Sequence, residues 1–194
     1  MTRFTPEWNR GHLFPEELET ARLRIRRPDP DVAPAVNAAI RESFDTLTRW
    51  MEWADHVPSV EETRDRLVRA RQQFIAGEDY GFHLFIASSG LFIGSSGLHP
   101  RSVDVKRWEI GYWLRDTATG HGYATEAVRA IAAAGFKALD LTAIEIHASG
   151  RNIASHRVAR RAGFVLDAVV SDGRIDPDGE RSDTHVYVLS RDAA

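Results

Sequence analysis

Arg107-Trp-Glu-Ile-Gly-Tyr-Trp-Leu114 is an aromatic-rich stretch, and shortly after it the chain reads Thr119-Gly120-His121-Gly122-Tyr123-Ala124-Thr125. The first stretch predicts a strand. The second predicts a turn whose backbone needs dihedrals that only glycine adopts freely. Beyond it Ala124, Ala127, Val128, Ile131, Ala134 and Gly135 fall on one stripe, with Glu126, Arg129 and Lys137 elsewhere. That spacing predicts a long helix ending near Leu139. Strand, glycine turn and helix in direct succession place the chain in the α/β class.

Upstream, Ala21 to Arg27 alternates around Leu23 and Ile25 and is stopped by Pro28-Asp29-Pro30, which predicts a first strand. Asp31 to Trp53 is helical but broken. Ser59, with Glu62 three residues on, predicts a capped helix that Gly77 closes. Phe82–Ala87 and Leu91–Leu98 flank Ser88-Ser89-Gly90 and read as a hairpin. Downstream, Ala143–Ala148 reads as a short strand and Asn152–Ala162 as a short helix ended by Gly163. Phe164–Val170 and Thr184–Leu189 read as two last strands around a polar loop, Asp172 to Asp183. The order predicts one α/β sandwich on a largely antiparallel sheet, flanked by helices. Residues 1–18, with Trp8, Leu13 and Phe14 as apolar anchors, read as an N-terminal arm, and 19–192 as the domain.

Composition narrows the function classes. At 194 residues the chain suffices for one full domain. A net charge of −3 disfavours nucleic acid as a partner. The absence of cysteine removes disulfides, thiolate catalysis and sulfur-based zinc sites. No two of the histidines stand at metal-ligand spacing on one helix, so no metal is expected. No apolar run approaches a membrane span and no signal peptide is apparent, which makes a cytoplasmic protein the expectation.

The glycine turn has two readings. It is either a tight strand-to-helix turn, or an anion cradle in which Gly120 and Gly122 let a phosphate approach the free amides of the first helical turn. A Walker loop and a dinucleotide fingerprint are both weak matches: the first lacks a Gly-Lys-Ser/Thr ending, and Thr125 stands where the second wants its third glycine.

Several ordered motifs carry a resemblance. Glu109-Ile-Gly-Tyr-Trp-Leu114, the turn at Gly120–Ala124, and Asn152-x-x-Ser155 leading to Arg161-Ala-Gly-Phe164 resemble the GNAT acetyltransferases, closest to the RimJ/RimL branch that acetylates ribosomal-protein N-termini. Glu19–Arg26 and the tryptophan-bearing Leu47–Trp53 also look like that branch. The resemblance runs from about Glu19 to Asp192. It implies a GNAT fold with one splayed parallel strand pair, formed by Arg107–Leu114 and Ala143–Ala148. It also implies acetyl-coenzyme A as acyl donor and a primary amine as acceptor, on a protein N-terminus or a small molecule such as an amino acid, polyamine or aminoglycoside. A non-catalytic acyl-CoA-binding module is the third expectation. Related enzymes often pair as homodimers. The family's Gln/Arg-x-x-Gly-x-Gly/Ala signature is matched at Gly122 and Ala124, but Thr119 holds its first position, which implies weaker cofactor binding unless Arg115 compensates.

The same resemblance implies roles. Tyr112, Trp113 and Leu114 would pair with the pantetheine arm, and Gly120, His121, Gly122, Tyr123, Ala124 and Thr125 would hold the pyrophosphate. Glu109 is the candidate base, acting through water, against the alternative of a solvent-facing carboxylate. Ser155 is the candidate general acid, against simple capping. Asn152 would bond the pantetheine or cap its helix. Trp50 and Trp53 would line the acceptor cleft or pack in the core, and His99 and His147 would touch substrate or be partly buried polar groups.

Overall fold

The structure, a computed structural model, describes residues 14–101 and 106–193. Two of the arm's expected anchors, Trp8 and Leu13, lie outside these residues. The third, Phe14, is buried against Phe74, Tyr80 and Phe82.

The strands are β1 (Glu17–Glu19), β2 (Leu23–Arg26), β3 (Tyr80–Ile86), β4 (Phe92–Pro100), β5 (Arg107–Leu114), β6 (Ala143–Ser149), β7 (Val165–Ile175) and β8 (Arg181–Ser190). The helices are α1 (Ala33–Glu42), α2 (Phe44–Trp50), α3 (Val60–Ala76), α4 (Tyr123–Ala138) and α5 (Ile153–Arg161). The eight strands form one sheet in the order β1-β2-β3-β4-β5-β6-β8-β7. Every neighbouring pair is antiparallel except β5 and β6, which run parallel. Among the described residues no helix is long and apolar enough to cross a membrane.

The helix termini follow the sequence signals. Ser59 and Glu62 form a reciprocal capping box at the start of α3, and Gly77 closes it in the left-handed region at φ 71°. Such a cap contributes about 1 kcal/mol. The stripe of α4 buries Ala127, Val128 and Ile131 against the sheet. Gly135 belongs to that stripe because a Cβ there would come within 2.6 Å of Leu98 Cδ1, so helix and β4 meet at closest approach. Beneath them Trp108, 1% exposed, stacks on Tyr80 at 5.7 Å between ring centroids.

Two regions depart from the expectation. β1 is additional: Glu17–Glu19 has one apolar residue and no pattern to announce it, and it is held by its ladder to β2 and by the Arg26–Glu17 and Arg24–Glu19 ion pairs. The expected loop Asp172–Asp183 is mostly strand, since β7 reaches Ile175 and β8 starts at Arg181. β7 is the sheet's outer strand and is exposed along nearly all its length, so its pairing needs no apolar alternation. The ribbon's tip is pinned instead by Asp176, 2% exposed, which accepts from Ser149 Oγ at 2.8 Å and meets the Arg174 guanidinium at 2.9 Å.

Candidate active site

β5 and β6 are registered only at Arg107↔Ala143, Trp108↔Ile144 and Glu109↔Glu145. Both strands continue beyond that point, but no further pairs form, so they part into a wedge. β5 remains fully paired with β4 on its other edge, out to Gly94↔Leu114. Arg115 N donates to Ile93 O, Ser96 Oγ donates to Gly111 O, and Lys106 O accepts from Thr142 N. The alternation of strand hydrogen bonding then sends the backbone groups of Gly111 and Trp113 toward β4, and those of Ile110, Tyr112 and Leu114 into the wedge. Of the three residues expected to pair with an incoming arm, Tyr112 and Leu114 therefore offer their backbone to the gap. Trp113 offers only its side chain, because its backbone is committed to Ser95.

The wedge opens into a cleft of about 1140 Å³ that reaches the start of α4. Gly120 and Gly122 both sit in the left-handed region, at φ 79° and 82°, and Gly122 caps α4 without any side-chain cap. The first intrahelical bond runs from Glu126 N to Gly122 O, so the amides of Tyr123, Ala124 and Thr125 have no partner within the helix. Gly120, Gly122, Tyr123, Ala124 and Thr125 all line the cleft. His121 does not: its ring stacks on Tyr123 at 5.8 Å and its Nδ1 lies 2.7 Å from Thr119 O.

Thr119 lines the cleft, but its hydroxyl donates to Asp116 O at 2.8 Å and is spent on the local turn. Arg115 does not compensate, because it turns away to Glu42 and Phe92 O. Glu42 in turn accepts from Thr117 Oγ1 at 2.7 Å, and Ser43 Oγ accepts from Asp116 N at 2.8 Å. The end of α1 thus clamps the loop that leads into the glycine turn. The positive charge beside that turn comes instead from Arg22, whose Nη1 donates to His121 O, and from Arg129 and Arg161, which share a pocket with Gly122 and Thr125. Arg157 and Arg161 of α5 also line the cleft. Sequence reasoning missed both, although their spacing from Ser155 on one short helix was visible.

Asn152 caps α5, its Oδ1 accepting from Ser155 N at 3.0 Å. Ser155 Oγ lies 2.7 Å from Tyr112 Oη, and both residues line the cleft. Burial pushes the Tyr112 phenol up to about 12, against the opposing effect of the Ser155 hydrogen bond. The pair thus presents neutral hydroxyls at working pH. Tyr112 was expected to contribute backbone only, and its hydroxyl is a part of the site the sequence did not announce.

Because Glu109 and Glu145 are in register on parallel strands, Glu109, Gly111 and Trp113 share a sheet face with Glu145 and His147. Trp53, just beyond α2, packs its ring 5.9 Å from that of Trp113, and with Trp50 it lines this side of the cleft. Arg101 Nη1 donates to Glu109 Oε2 at 2.6 Å. His147 Nε2 lies 2.8 Å from Glu145 Oε2, while Arg107 Nε stands 3.1 Å from the other oxygen. His99 is not brought to the cleft. Its ring covers Gly111 and its Nδ1 lies 2.7 Å from Asp79 Oδ2. Burial pushes its pKa down, but Asp79 and Glu109 outweigh that and raise it.

The acetyltransferase (GNAT) domain family matches residues 22–165. YjcK of Bacillus subtilis (strain 168), described as a probable N-acetyltransferase, is 35% identical over 117 residues, which are 60% of this chain. The chain covers 65% of that relative, just under two thirds of its length. YoaA of the same organism, an uncharacterised N-acetyltransferase, is 27% identical over 177 residues, covering 91% of this chain and 97% of YoaA. Among solved structures, RimL, a ribosomal L7/L12 α-N-protein acetyltransferase in complex with coenzyme A, superposes with a TM-score of 0.82 at 23% identity, over 93% of this chain and 99% of RimL. With the parallel pair parting beside a glycine-capped helix and the family match covering most of its length, the chain belongs to the GNAT acetyltransferase family.

Proposed function

We propose that the protein transfers the acetyl group of acetyl-coenzyme A to a protein N-terminal α-amine. The observation that carries the transfer is the wedge between β5 and β6, which opens onto the α4 amides that have no partner within the helix. The pyrophosphate fits those amides, with the helix dipole and Arg161 adding favourable charge. The pantetheine arm fits the wedge as an extra strand against Tyr112 and Leu114. An amide facing the wedge then donates to the thioester oxygen as it becomes an oxyanion, a contribution worth about 10²–10³ in rate. Ser155, backed by Tyr112, gives a proton to the departing thiolate.

The amine enters from the opposite face, between Trp50, Trp53 and Trp113, where Glu109 supplies negative charge to an arriving ammonium. An α-amine suits this site because it titrates near ~8, against ~10.4 for a lysine, so little help is needed to free its lone pair. The name of the structurally similar RimL supports the same acceptor class. Thiol release from acetyl-coenzyme A tests the proposal against N-terminal peptides, free amino acids, polyamines and aminoglycosides. The chain has no cysteine, so every new thiol comes from the donor. Release with free-N-terminus peptides and not with their N-formylated forms is expected. Release with the small amines alone would refute the acceptor, and no release with any amine would refute the transfer.

A further inference from the structure

Glu145 and His147 stand two residues apart on β6, on the face from which the acceptor arrives, and neither belongs to the phosphate or thiolate machinery. Glu145 is 9% exposed, and both of its oxygens are occupied: Oε2 by His147 Nε2 at 2.8 Å, Oε1 by Arg107 Nε at 3.1 Å. A carboxylate accepts hydrogen bonds, so it fixes the ring tautomer with hydrogen on Nε2. The other ring nitrogen, Nδ1, then carries a lone pair. Among the described residues it has no hydrogen-bond partner, and the side chain borders the cleft. Glu109, by contrast, is held by Arg101 at 2.6 Å. A carboxylate whose oxygen is already occupied by a guanidinium is a good electrostatic partner for an arriving ammonium.

We infer that His147 is the general base of the transfer and that Glu145 is its positioning residue. The inference rests on the acetyl transfer proposed above. The amine nitrogen attacks the thioester carbon, its lone pair forming the C–N bond while the carbonyl π pair moves to oxygen. The proton that nitrogen must shed passes to His147 Nδ1. The oxyanion pair then re-forms C=O, the C–S bond breaks, and the sulfur leaves with its electron pair and takes a proton from the Ser155–Tyr112 hydroxyls. His147 returns its proton to water, and the hydroxyl pair is refilled from water. Glu145 on β6 touches the imidazole and is itself met by Arg107; the other charged groups lining the cleft with His147 are the Glu109–Arg101 pair, Arg157 and Arg161 of α5, Arg174 of β7, and Glu52. β8 presents uncharged Val186 beside His147.

Two readouts test the assignment, one of them independent of any acceptor. Nitrogen-15 NMR of the ring reports its tautomer: hydrogen on Nε2 in the native protein, shifting toward a mixture in Glu145→Gln, is the expected result. Hydrogen on Nδ1, or a tautomer indifferent to Glu145→Gln, refutes the inference even if no acceptor has been found. The second readout is kcat/KM against pH, with a short peptide bearing a free N-terminal serine. His147→Gln is expected to lower it about 10²–10⁴-fold and to remove the limb that titrates with imidazole, leaving only that of the amine. Glu109→Gln should instead raise the peptide KM and keep the imidazole limb. A wild-type limb that survives in His147→Gln but vanishes in Glu109→Gln assigns the base to Glu109. A wild type that binds acetyl-coenzyme A without transferring to any amine refutes the proposed function, while the NMR result still decides the tautomer.

Discussion

Tyr112 Oη and Ser155 Oγ lie 2.7 Å apart, joining β5, whose Tyr112 backbone faces the wedge, to α5. Tyr112 Oη also donates to Ser155 O at 3.2 Å, so the phenol holds the serine from two directions. Ser155→Ala is expected to lower kcat by about 10²-fold or more and to leave acetyl-coenzyme A affinity nearly unchanged. Tyr112→Phe, which keeps the ring and loses the contact, should lower kcat about tenfold. If the two act as one unit, the double variant is no slower than Ser155→Ala alone. Steady-state kinetics beside calorimetric binding check this. Additive losses would mean the hydroxyls work separately.

Arg161 lines the cleft beside the glycine turn, while its backbone carbonyl accepts from Arg129 and is untouched by side-chain replacement. Arg161→Gln is therefore expected to weaken acetyl-coenzyme A binding several-fold without disturbing α5. Added salt screens exposed charge. The wild type's affinity should accordingly fall more steeply with ionic strength than the variant's. Parallel salt curves would place the arginine away from the phosphates.

The legibility of this chain follows the physics of each signal. α3, α4 and the β3–β4 hairpin could be read because caps, glycines and apolar periodicity are local, and the structure repeats them to within a few residues. The glycine turn was legible as a cradle only beside its neighbours, since the same dihedrals serve a plain turn. β1 and the outer end of the β7–β8 ribbon, Asp172–Ile175 with Arg181–Asp183, were not legible, because these pieces are held by ladders and ion pairs rather than by a buried apolar face. The hydroxyl pair of Tyr112 and Ser155 joins residues 43 apart in sequence, and no spacing rule connects them. The same holds for the grip of Arg115 on Glu42, which makes Arg115 a loop anchor and not a stand-in for the side chain that Thr119 lacks.

That anchor has a pH signature. Arg115, through its hydrogen bonds, holds the Glu42 carboxyl down from 4.5 to about 2, with Thr117 assisting and burial opposing. A lowered folded value favours the folded state above the unfolded pKa, and the contribution disappears as pH falls from 4.5 through about 2. Because the pair is partly exposed, it contributes about 1 kcal/mol or less. Glu42→Gln should lower the Tm slightly at neutral pH and lose less stability than the wild type between those two pH values. Thermal melts across that range check it. Parallel pH dependence in the two proteins would show that the clamp carries no net charge stabilisation.

Gly122 and Gly90 share one backbone demand and differ in place. Their φ values are 82° and 70°; Gly90 closes the β3–β4 turn with nothing within 4 Å of an added Cβ, while the nearest atom to one at Gly122 is Arg22 Nη2 at 3.5 Å. Neither substitution to alanine meets a serious clash, so both should cost about 1–2 kcal/mol of stability from left-handed strain alone. Gly122 also sets the angle at which the α4 amides face the cleft. Relief of strain there tilts the first turn, and acetyl-coenzyme A affinity should drop about five- to tenfold, equivalent to about 1 kcal/mol. Gly90→Ala should keep wild-type affinity at the same loss of Tm. Equal affinity losses in both variants would trace the effect to general destabilisation, and unchanged affinity in Gly122→Ala would remove the glycine turn from the phosphate site.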